Sequence, residues 1–423
     1  MKKRLLGALL AIAMTATMLV GCGGKEAKNA KNGGDASGKV VTVEFWTIDL
    51  KATFGDFFNT MIENYEKEHE GVKINWTDIP YADIQSKLVT AVAGGNAPDV
   101  VNLNTKLALT LAGQNALVDL NKVTTDEQKS VYIQNLWESA EMNDGVYAFP
   151  WYASPNIMFY NEALFEKAGM EVPKTYEEAL SMCEEFYNKT GAYLFQPDEF
   201  AYLLHEEGMP ILNEEGTKAE FNTSEVADLL ETYKVYTDKN ILPKTNWGNW
   251  DEALKLFESE KLAIISSSGS SLSRVKDEAP DIYKKIKLST PLVGNTGLSR
   301  NPLMNLVIPA ASKNQEAAVD FASYVTNDDN QLAFCKEVAI FPSTVKASED
   351  SYFTSDTSTL EGQANAMSAE ASKMSRDFVM GIAKEDNVQM AINKAYEASI
   401  INGDDIKKSL DLAVQDVNKL LEK

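Results

Sequence analysis

The chain has 423 residues, 44% of them hydrophobic and 24% charged, and a formal net charge of -22 from 40 Lys and Arg against 62 Asp and Glu. The length predicts two or three domains. The acidic balance argues against nucleic acid as a partner, because binding to a phosphate backbone requires clustered Lys and Arg.

The N-terminal segment predicts a secreted chain with a lipid anchor. A basic start at residues 2–4 precedes Leu5–Val20, an uncharged run shorter than the roughly 20 residues that span a bilayer. This pattern predicts a cleaved signal peptide over residues 1–21. The run ends in Leu-Val-Gly-Cys, which resembles a bacterial lipobox and predicts that Cys22 carries the lipid. The alternative is ordinary cleavage with Cys22 incidental, and residues 22–39, which lack large apolar side chains, predict a flexible tether.

The first folded stretch alternates strands with helices. Val41–Asp49 predicts a strand because its apolar residues alternate with polar ones. An amphipathic helix follows, then a strand over Val72–Trp76, a second helix over 84–92 and a mostly apolar strand at Asp99–Leu103. This βαβαβ order predicts a largely parallel sheet. Since ligands of open α/β sheets lie beyond the carboxyl ends of the strands, residues 46–49 are a candidate lip of a ligand cleft.

A second set of elements begins with a predicted strand at Ile157–Tyr160. Asn161–Gly169 predicts a short helix in which Gly169 supplies the C-terminal cap. Thr175 and Glu178 have the spacing of a capping box and predict the start of the next helix. The chain therefore begins a second unit of strands and helices here.

Further strands are predicted at Leu262–Ile265, Ile286–Leu292 and Leu303–Ile308. The polar run Ser266–Ser271 follows the first of them and is either a flexible loop or the polar wall of a cleft. Apolar residues at helical spacing predict a last helix over 406–420.

The sequence carries few of the residues that enzymes use. Its two histidines, His69 and His205, lie among charged residues, are predicted to be solvent-exposed, and lack the HExxH spacing of a zinc site. No GxSxG, P-loop or GxGxxG motif is present. We therefore expect no enzyme, no metal site and no cofactor, although the many Asp and Glu residues leave a glycosidase-type carboxylate pair open.

Two cysteines, Cys183 and Cys335, are predicted to be buried free thiols, because each lies among apolar residues at helical spacing. Nothing in the sequence requires a disulfide between these distant segments, although pairing stays open. No CxxC motif indicates zinc or redox chemistry.

Five aromatic residues stand at predicted strand ends or in polar turns instead of on helical stripes: Trp46, Trp151, Tyr152, Trp247 and Trp250. Indole and phenol rings pack on the apolar C–H faces of sugar rings, while nearby amides and carboxylates bind the hydroxyls. Packing between elements is the alternative for each ring. Together the five residues favour a carbohydrate-like ligand.

Several segments resemble the bacterial extracellular solute-binding proteins of carbohydrate transporters, the maltose-binding-protein-like family. They are Gly95–Val101, Phe159–Gly169, Val172–Glu178 and Asn305–Pro309 followed by Ala317–Thr326. The resemblance extends over nearly all of residues 40–423, and it depends on the order and spacing of these segments.

This resemblance implies an α/β, two-lobed periplasmic-binding-protein fold of type II. Each lobe would be a mostly parallel sheet flanked by helices, with the ligand cleft between the lobes. The implied first lobe comprises residues 40–152 and 302–341, and the second comprises 157–288 and 347–423. Hinge crossovers are expected near residues 153–156, 289–301 and 342–346.

The resemblance also implies a function. The protein would be a lipoprotein on the extracytoplasmic face of the bacterial cell membrane, a monomer that captures a sugar or short oligosaccharide and delivers it to the permease subunits of an ABC transporter. The positions implied to bind ligand are Trp46, Asp49, Asn104, Lys106, Trp151, Tyr152, Trp247, Trp250, Ser268 and Gly269.

Three alternatives stay open from the sequence. A receptor for a polyol phosphate or another anion would need a basic cleft, for which Lys106 and Arg274 are the candidates. A secreted glycan-active enzyme would need two carboxylates about 5–9.5 Å apart. A sensor or adhesion lipoprotein would bind ligand without a permease.

Overall fold

The computed structural model describes residues 40–382 and 384–422. The predicted signal peptide (1–21), the lipid-bearing Cys22 and the tether (22–39) lie outside the described residues. Within the described ranges, no helix is long and apolar enough to cross a membrane.

Strands and helices alternate through most of the described chain. In chain order the strands are β1 Val41–Ile48, β2 Val72–Ile79, β3 Val100–Asn104, β4 Glu141–Met142, β5 Gly145–Val146, β6 Phe149–Ala153, β7 Asn156–Asn161, β8 Ile264–Ser268, β9 Ile286–Ser289, β10 Ser299–Arg300, β11 Leu303–Val307, β12 Phe341–Pro342 and β13 Ser375–Arg376. The α-helices are α1 Lys51–Glu68, α2 Ile84–Ala93, α3 Thr105–Ala112, α4 Asp126–Ser130, α5 Gln134–Trp137, α6 Glu162–Ala168, α7 Tyr176–Thr190, α8 Phe200–Glu206, α9 Ser224–Asp238, α10 Trp250–Glu258, α11 Leu272–Glu278, α12 Pro280–Tyr283, α13 Gln315–Val325, α14 Asp328–Glu337, α15 Val345–Ser348, α16 Leu360–Ser372, α17 Glu385–Tyr396 and α18 Ile406–Leu421. Short 3-10 turns and one π-helical turn, Glu397–Ile401, join some of them.

Local sequence signals fix several of these boundaries. Gly169 ends α6 in the left-handed conformation (φ 61°), where a residue without a side chain is favoured. The Thr175 hydroxyl accepts the Glu178 N–H at the start of α7, so the predicted N-cap is confirmed. The Glu178 carboxylate accepts the N–H of Lys174, one residue before the position that a capping box would use.

The larger sheet of the described chain has the strand order β12-β6-β11-β3-β1-β2. β1 pairs in parallel with β2 and with β3, as the βαβαβ order predicts. β11 lies between β3 and β6 and is antiparallel to both. The chain enters β11 at the edge of the sheet where β3 ends. The carboxyl ends of β1 and β3 therefore lie near each other, at Asp49 and Asn104.

The smaller sheet has the order β8-β7-β9, and both of its pairings are antiparallel. The prediction of a mostly parallel sheet is wrong for this lobe. The reason is the path of the chain: β7 carries it away from the first lobe, whereas β8 and β9 both run back. Asn156, the first residue of β7, consequently faces Ser268, the last residue of β8.

The two sheets pack in separate apolar cores. The larger sheet buries Phe45, Phe58 and Trp151 with helices α1 and α13, and this unit is the first lobe. The second lobe packs α7, α8, α9, α17 and α18 around residues such as Phe186 and Tyr233. The architecture is thus α/β, with a sheet and its own core in each half.

The connections between the sheets lie beside one another. The Ser154 N–H donates to the Pro302 carbonyl (3.1 Å), so the first two connections are neighbours. β10 pairs with β13, and α15 stays against the first lobe, where the Val345 N–H donates to the Val131 carbonyl (2.9 Å). The predicted crossover at residues 342–346 remains a prediction.

Two side-chain predictions from the sequence have clear outcomes. Cys183 and Cys335 are both buried and free, as predicted, and burial raises the pKa of the Cys183 thiol to about 12. His205 is not the solvated side chain that its acidic neighbours suggested. Its ring stacks on Phe378 with centroids 5.5 Å apart, and burial, with a contribution from Arg376, lowers its pKa to about 4.

Candidate functional site

A cavity of about 350 Å³ opens in the second lobe, and we call it the second-lobe cavity. The end of β8, Ser266–Ser268, forms one wall, and the loops that carry Asp198 and Trp247 form others. None of its lining residues belongs to segments 40–152 or 302–341, which the sequence predicts to form the first lobe. The site is thus built by the second lobe and by the connections between the lobes.

Two tryptophans line this cavity. Trp247 is 4% exposed, and it packs against Tyr233 and, with centroids 4.0 Å apart, against Tyr396. Trp250 is half-buried at the start of α10, with the Arg274 guanidinium 5.2 Å from its ring centroid. Both indole N–H groups are buried and have no partner within the described structure. Buried donors of this kind cost free energy unless another group accepts from them.

Three carboxyl groups line the same cavity: Asp198, Glu199 and Glu206. Burial raises the pKa of each of them, and it raises that of Glu206 well above the ordinary range. The Arg300 guanidinium opposes this effect at all three carboxyls. Glu206 is 2% exposed, and its Oε2 atom has no hydrogen-bond partner in the described structure. At Glu206 the wall therefore carries one carboxyl oxygen without a partner, which is an acceptor or, when protonated, a donor.

A second cavity, of about 280 Å³, lies where the lobes meet, and we call it the cleft cavity. The first lobe contributes Asn104, Lys106 and Tyr152, and the second lobe contributes Tyr202 and Glu385. Both lobes therefore present side chains to this cavity.

An ion pair closes one side of the cleft cavity. Lys106, in the first turn of α3, pairs with Asp386, in the first turn of α17. Burial alone would lower the pKa of Lys106, but the hydrogen bond and charge of Asp386 outweigh it and leave the pKa raised. Beside this pair, burial raises the pKa of Glu385 to about 7. Its Oε2 accepts the Gly381 N–H (3.0 Å), while its Oε1 has no partner within the described residues.

Arg300 borders both cavities. Its guanidinium carbon lies 3.7 Å from the ring centroid of Tyr202, and it donates to the Tyr202 hydroxyl (3.0 Å). The Nε–H of Arg300 is buried without a partner in the described chain. Arg300 is therefore held at the junction of the two cavities with a free donor.

The structure brings most of the sequence-predicted residues to these two cavities. Asn104, Lys106 and Tyr152 line the cleft cavity. Trp247 and Trp250 line the second-lobe cavity. Ser268 lies in the wall of the same cavity. Asn104 also caps α3 by accepting the Leu107 N–H (2.8 Å), which fixes its amide at the edge of the cleft.

Asp49 lies at the outer rim of the first lobe. It is exposed in the left-handed conformation (φ 52°), and its Oδ2 accepts the N–H of Tyr81 (3.0 Å). The Tyr81 hydroxyl in turn accepts from the Asn104 amide (3.0 Å). Asp49 thus reaches the cleft cavity only through Tyr81, which lines it.

Three predicted residues lie elsewhere. Trp46 lines a separate groove with Pro98 and Asn314, on the face of β1 opposite Val43 and Phe45. Trp151 is 1% exposed and stacks on Phe334 with centroids 5.7 Å apart, so its ring faces serve core packing and are not open to a ligand. Gly269 is outside both cavity walls and lies against α16.

Sequence reasoning missed Arg300 and the buried carboxyls. Arg300 lies in a turn-rich segment before a strand, and Asp198 and Glu199 follow a proline in a polar loop. Binding residues are frequent at such loop positions. The sequence there does not indicate, however, whether a side chain is buried or which residues it contacts. A charged residue in a short loop between apolar elements was the one available signal.

Comparisons with known proteins place this architecture in a family. The sequence profile described as bacterial extracellular solute-binding protein matches residues 60–361. The diacetylchitobiose binding protein of Streptomyces coelicolor is 25% identical over 354 residues, which cover 81% of this chain and 82% of that protein.

Solved structures share the fold. A periplasmic-binding protein from Synechococcus sp. MITs9220 has a TM-score of 0.78 at 24% identity, over 90% of this chain and 99% of that one. The cyclic α-maltosyl-1,6-maltose binding protein from Arthrobacter globiformis has a TM-score of 0.71 at 20% identity, over 90% and 99% of the two chains. With its two-sheet architecture and this profile match over most of its length, the chain belongs to the bacterial extracellular solute-binding proteins.

Proposed function

We propose that this protein captures a sugar or short oligosaccharide between its two lobes and delivers it to the permease of an ABC transporter. The observation that carries the proposal is the set of unsatisfied polar atoms around the second-lobe cavity: Glu206 Oε2, Arg300 Nε and the indole nitrogens of Trp247 and Trp250. Carbohydrate hydroxyls both donate and accept, so a ligand of this class can pair with donors and acceptors alike.

The charges around the cavities support a neutral ligand over a phosphate. Arg300 borders both cavities, but its charge already interacts with the carboxyl groups of Asp198, Glu199 and Glu206. Of the two basic residues that the sequence offered to an anion receptor, Lys106 is paired with Asp386. Arg274 donates to Glu278 (2.9 Å) and to Asp251 (2.8 Å). Burial of phosphate charge beside the three carboxyl groups of this wall would be unfavourable whenever one of them is ionised, because like charges repel. The named ligands of the Streptomyces and Arthrobacter relatives are also sugars.

Ligand capture would proceed by hinge motion of the two lobes. We propose first-lobe segments 40–152 and 302–341, with crossovers near 153–156 and 289–301. The third crossover is proposed near residues 342–346, directly after Phe341, which still pairs with β6 of the first lobe. A ligand that touches both lobes stabilises the closed form over the open form, and this difference is what drives closure.

The cellular setting completes the proposal. A family of extracellular solute-binding proteins works outside the cytoplasm, and we propose that lipid on Cys22 anchors the protein, as a monomer, to the outer face of the cell membrane. The resemblance of residues 19–22 to a lipobox supports the anchor. We propose binding without catalysis, so the carboxyls of the cavity would accept hydroxyl hydrogen bonds and would not cleave a glycosidic bond.

A thermal-shift screen with neutral sugars, oligosaccharides and polyol phosphates tests this function. A ligand at a thousandfold excess over its Kd stabilises the folded protein by roughly 4 kcal/mol, which raises the melting temperature measurably. We expect at least one neutral carbohydrate to do so and to be recovered unchanged after incubation. Stabilisation by a polyol phosphate alone, or release of smaller sugars from the ligand, would contradict the proposal.

A further inference from the structure

The second-lobe cavity and the cleft cavity meet at one residue. Arg300 lines both of them, and its position is fixed by the Tyr202 ring and hydroxyl. The serine wall of β8 lies on one side of this junction, and Tyr152 of the first lobe lies on the other.

Each cavity also contains a buried carboxyl oxygen that has no partner. Glu206, whose Oε2 has no partner, lines the second-lobe cavity. Glu385, whose Oε1 has no partner, lines the cleft cavity, and each residue is 2% exposed. Arg300 Nε is the third unsatisfied atom, at the junction. Buried polar atoms in folded proteins nearly always have a partner, so a sugar hydroxyl or an ordered water is expected to pair with these atoms in both cavities.

The two cavities differ in which lobes form their walls, and this difference indicates how large a ligand must be to close the protein. The second-lobe cavity has no wall from segments 40–152 or 302–341, whereas the cleft cavity has walls from both lobes. A ligand confined to the second-lobe cavity would touch no side chain of the first lobe, so its contacts, apart from those with the crossover segments, would be the same in the open and closed forms. Such a ligand shifts no equilibrium between those forms, however tightly it binds.

We infer that the two cavities are two subsites of one site, and that the ligand that closes this receptor is an oligosaccharide of at least two sugar units. The inference rests on the proposed function. One unit would occupy the second-lobe cavity, among Trp247, Trp250 and Glu206. The next would occupy the cleft cavity beside Tyr152 and Glu385, with the linkage passing Arg300.

The test compares sugars of increasing length in two series: glucose, maltose and maltotriose, and N-acetylglucosamine, diacetylchitobiose and triacetylchitotriose. Calorimetry measures Kd, and small-angle X-ray scattering measures the radius of gyration with and without each sugar. We expect that a disaccharide or longer sugar of one series binds at least tenfold more tightly than its monosaccharide and alone reduces the radius of gyration.

Variants separate the two subsites. Glu385→Gln should weaken the disaccharide about tenfold more than the monosaccharide, whereas Glu206→Gln should weaken both, since loss of one hydrogen bond to a buried carboxyl has about this effect. Tyr152→Phe keeps the packing on Phe334 and provides a second cleft-cavity variant if Glu385→Gln fails to fold. Glu370→Gln, which alters an exposed carboxyl of α16 outside both cavities, is the matched control.

Two results would overturn the inference. A monosaccharide that compacts the protein as fully as its disaccharide would show that one unit reaches both lobes. Equal losses for monosaccharide and disaccharide in the cleft-cavity variants would show a single subsite. If no sugar of any length binds while another class of solute does, the proposed function fails and this inference fails with it.

Discussion

The carboxyl group of Glu385 predicts a measurable dependence of stability on pH. Burial raises its pKa from an ordinary 4.5 to about 7, against the opposing effect of backbone N–H donors and Lys106. The Glu385 carboxyl holds its proton more tightly in the folded protein than in the unfolded chain. Its contribution to the free energy of unfolding is therefore largest at low pH. Its contribution is lost as the pH rises from about 4.5 to about 7.

The size of the effect follows from that difference in pKa. At about 1.4 kcal/mol per pKa unit, ionisation of the buried Glu385 carboxyl costs on the order of 3 kcal/mol of folding free energy above pH 7. Glu385→Gln removes the ionisation and keeps the size of the side chain. The stability of the variant relative to the native protein should therefore increase by on the order of 3 kcal/mol between pH 4.5 and pH 8.

Urea unfolding without ligand, at half-unit steps of pH, measures this difference. The side-chain amide that replaces the Glu385 carboxyl leaves one of its polar groups unpaired, which lowers the free energy of unfolding by the same amount at every pH. This loss cancels when the stability differences at two pH values are compared. Glu370→Gln controls for the loss of one negative charge at an exposed position. If the stability difference for Glu385→Gln is the same at pH 4.5 and pH 8, the carboxyl is not ionising in a buried site and the reasoning is wrong.

Three further predictions separate ligand contacts from core packing. Trp151→Ala should lower the free energy of unfolding by about 3–5 kcal/mol, measured in urea, because the ring is fully packed in the first-lobe core; a loss below about 1 kcal/mol would contradict that packing. Trp250→Ala should weaken sugar binding at least tenfold in calorimetry, because Trp250 lines the second-lobe cavity. Trp46→Ala should leave the affinity unchanged, because Trp46 lies in a separate groove. The opposite result for the two variants would place the ligand site at β1. Cys183 should react with iodoacetamide only when the protein is unfolded, because burial raises its thiol pKa to about 12, and rapid alkylation of the native protein would argue against this.

The sequence predicted the elements whose signals are local. The alternation in β1, the Gly169 cap and the Thr175 cap each depend on residues within one or two turns. Where the sequence failed, the deciding contact was distant. β6 is buried on both faces, so its residues do not alternate between apolar and polar. No residue near Trp151 in the sequence indicates that its ring packs against Phe58 of α1 and Phe334 of α14.

The site shows the same limit. The family resemblance implied Asn104 and Lys106, which follow a strand that ends at the cleft, and both line the cleft cavity. Glu206 was missed because its neighbours His205 and Glu207 suggest a solvated helix end, although α8 is packed into the second-lobe core. The direction of β7 depends on the path between lobes, which no window of the sequence contains.

The ion pair between Lys106 and Asp386 has a consequence for the empty receptor. It joins the lobes without any ligand, yet the Asp386 side chain is 71% exposed, so salt screens the pair. An exposed pair contributes at most about 1 kcal/mol, which is roughly a fivefold change in the ratio of closed to open molecules. The fraction of open molecules without ligand should therefore increase with the salt concentration outside the cell. The rate at which a long sugar enters the cleft should increase with it.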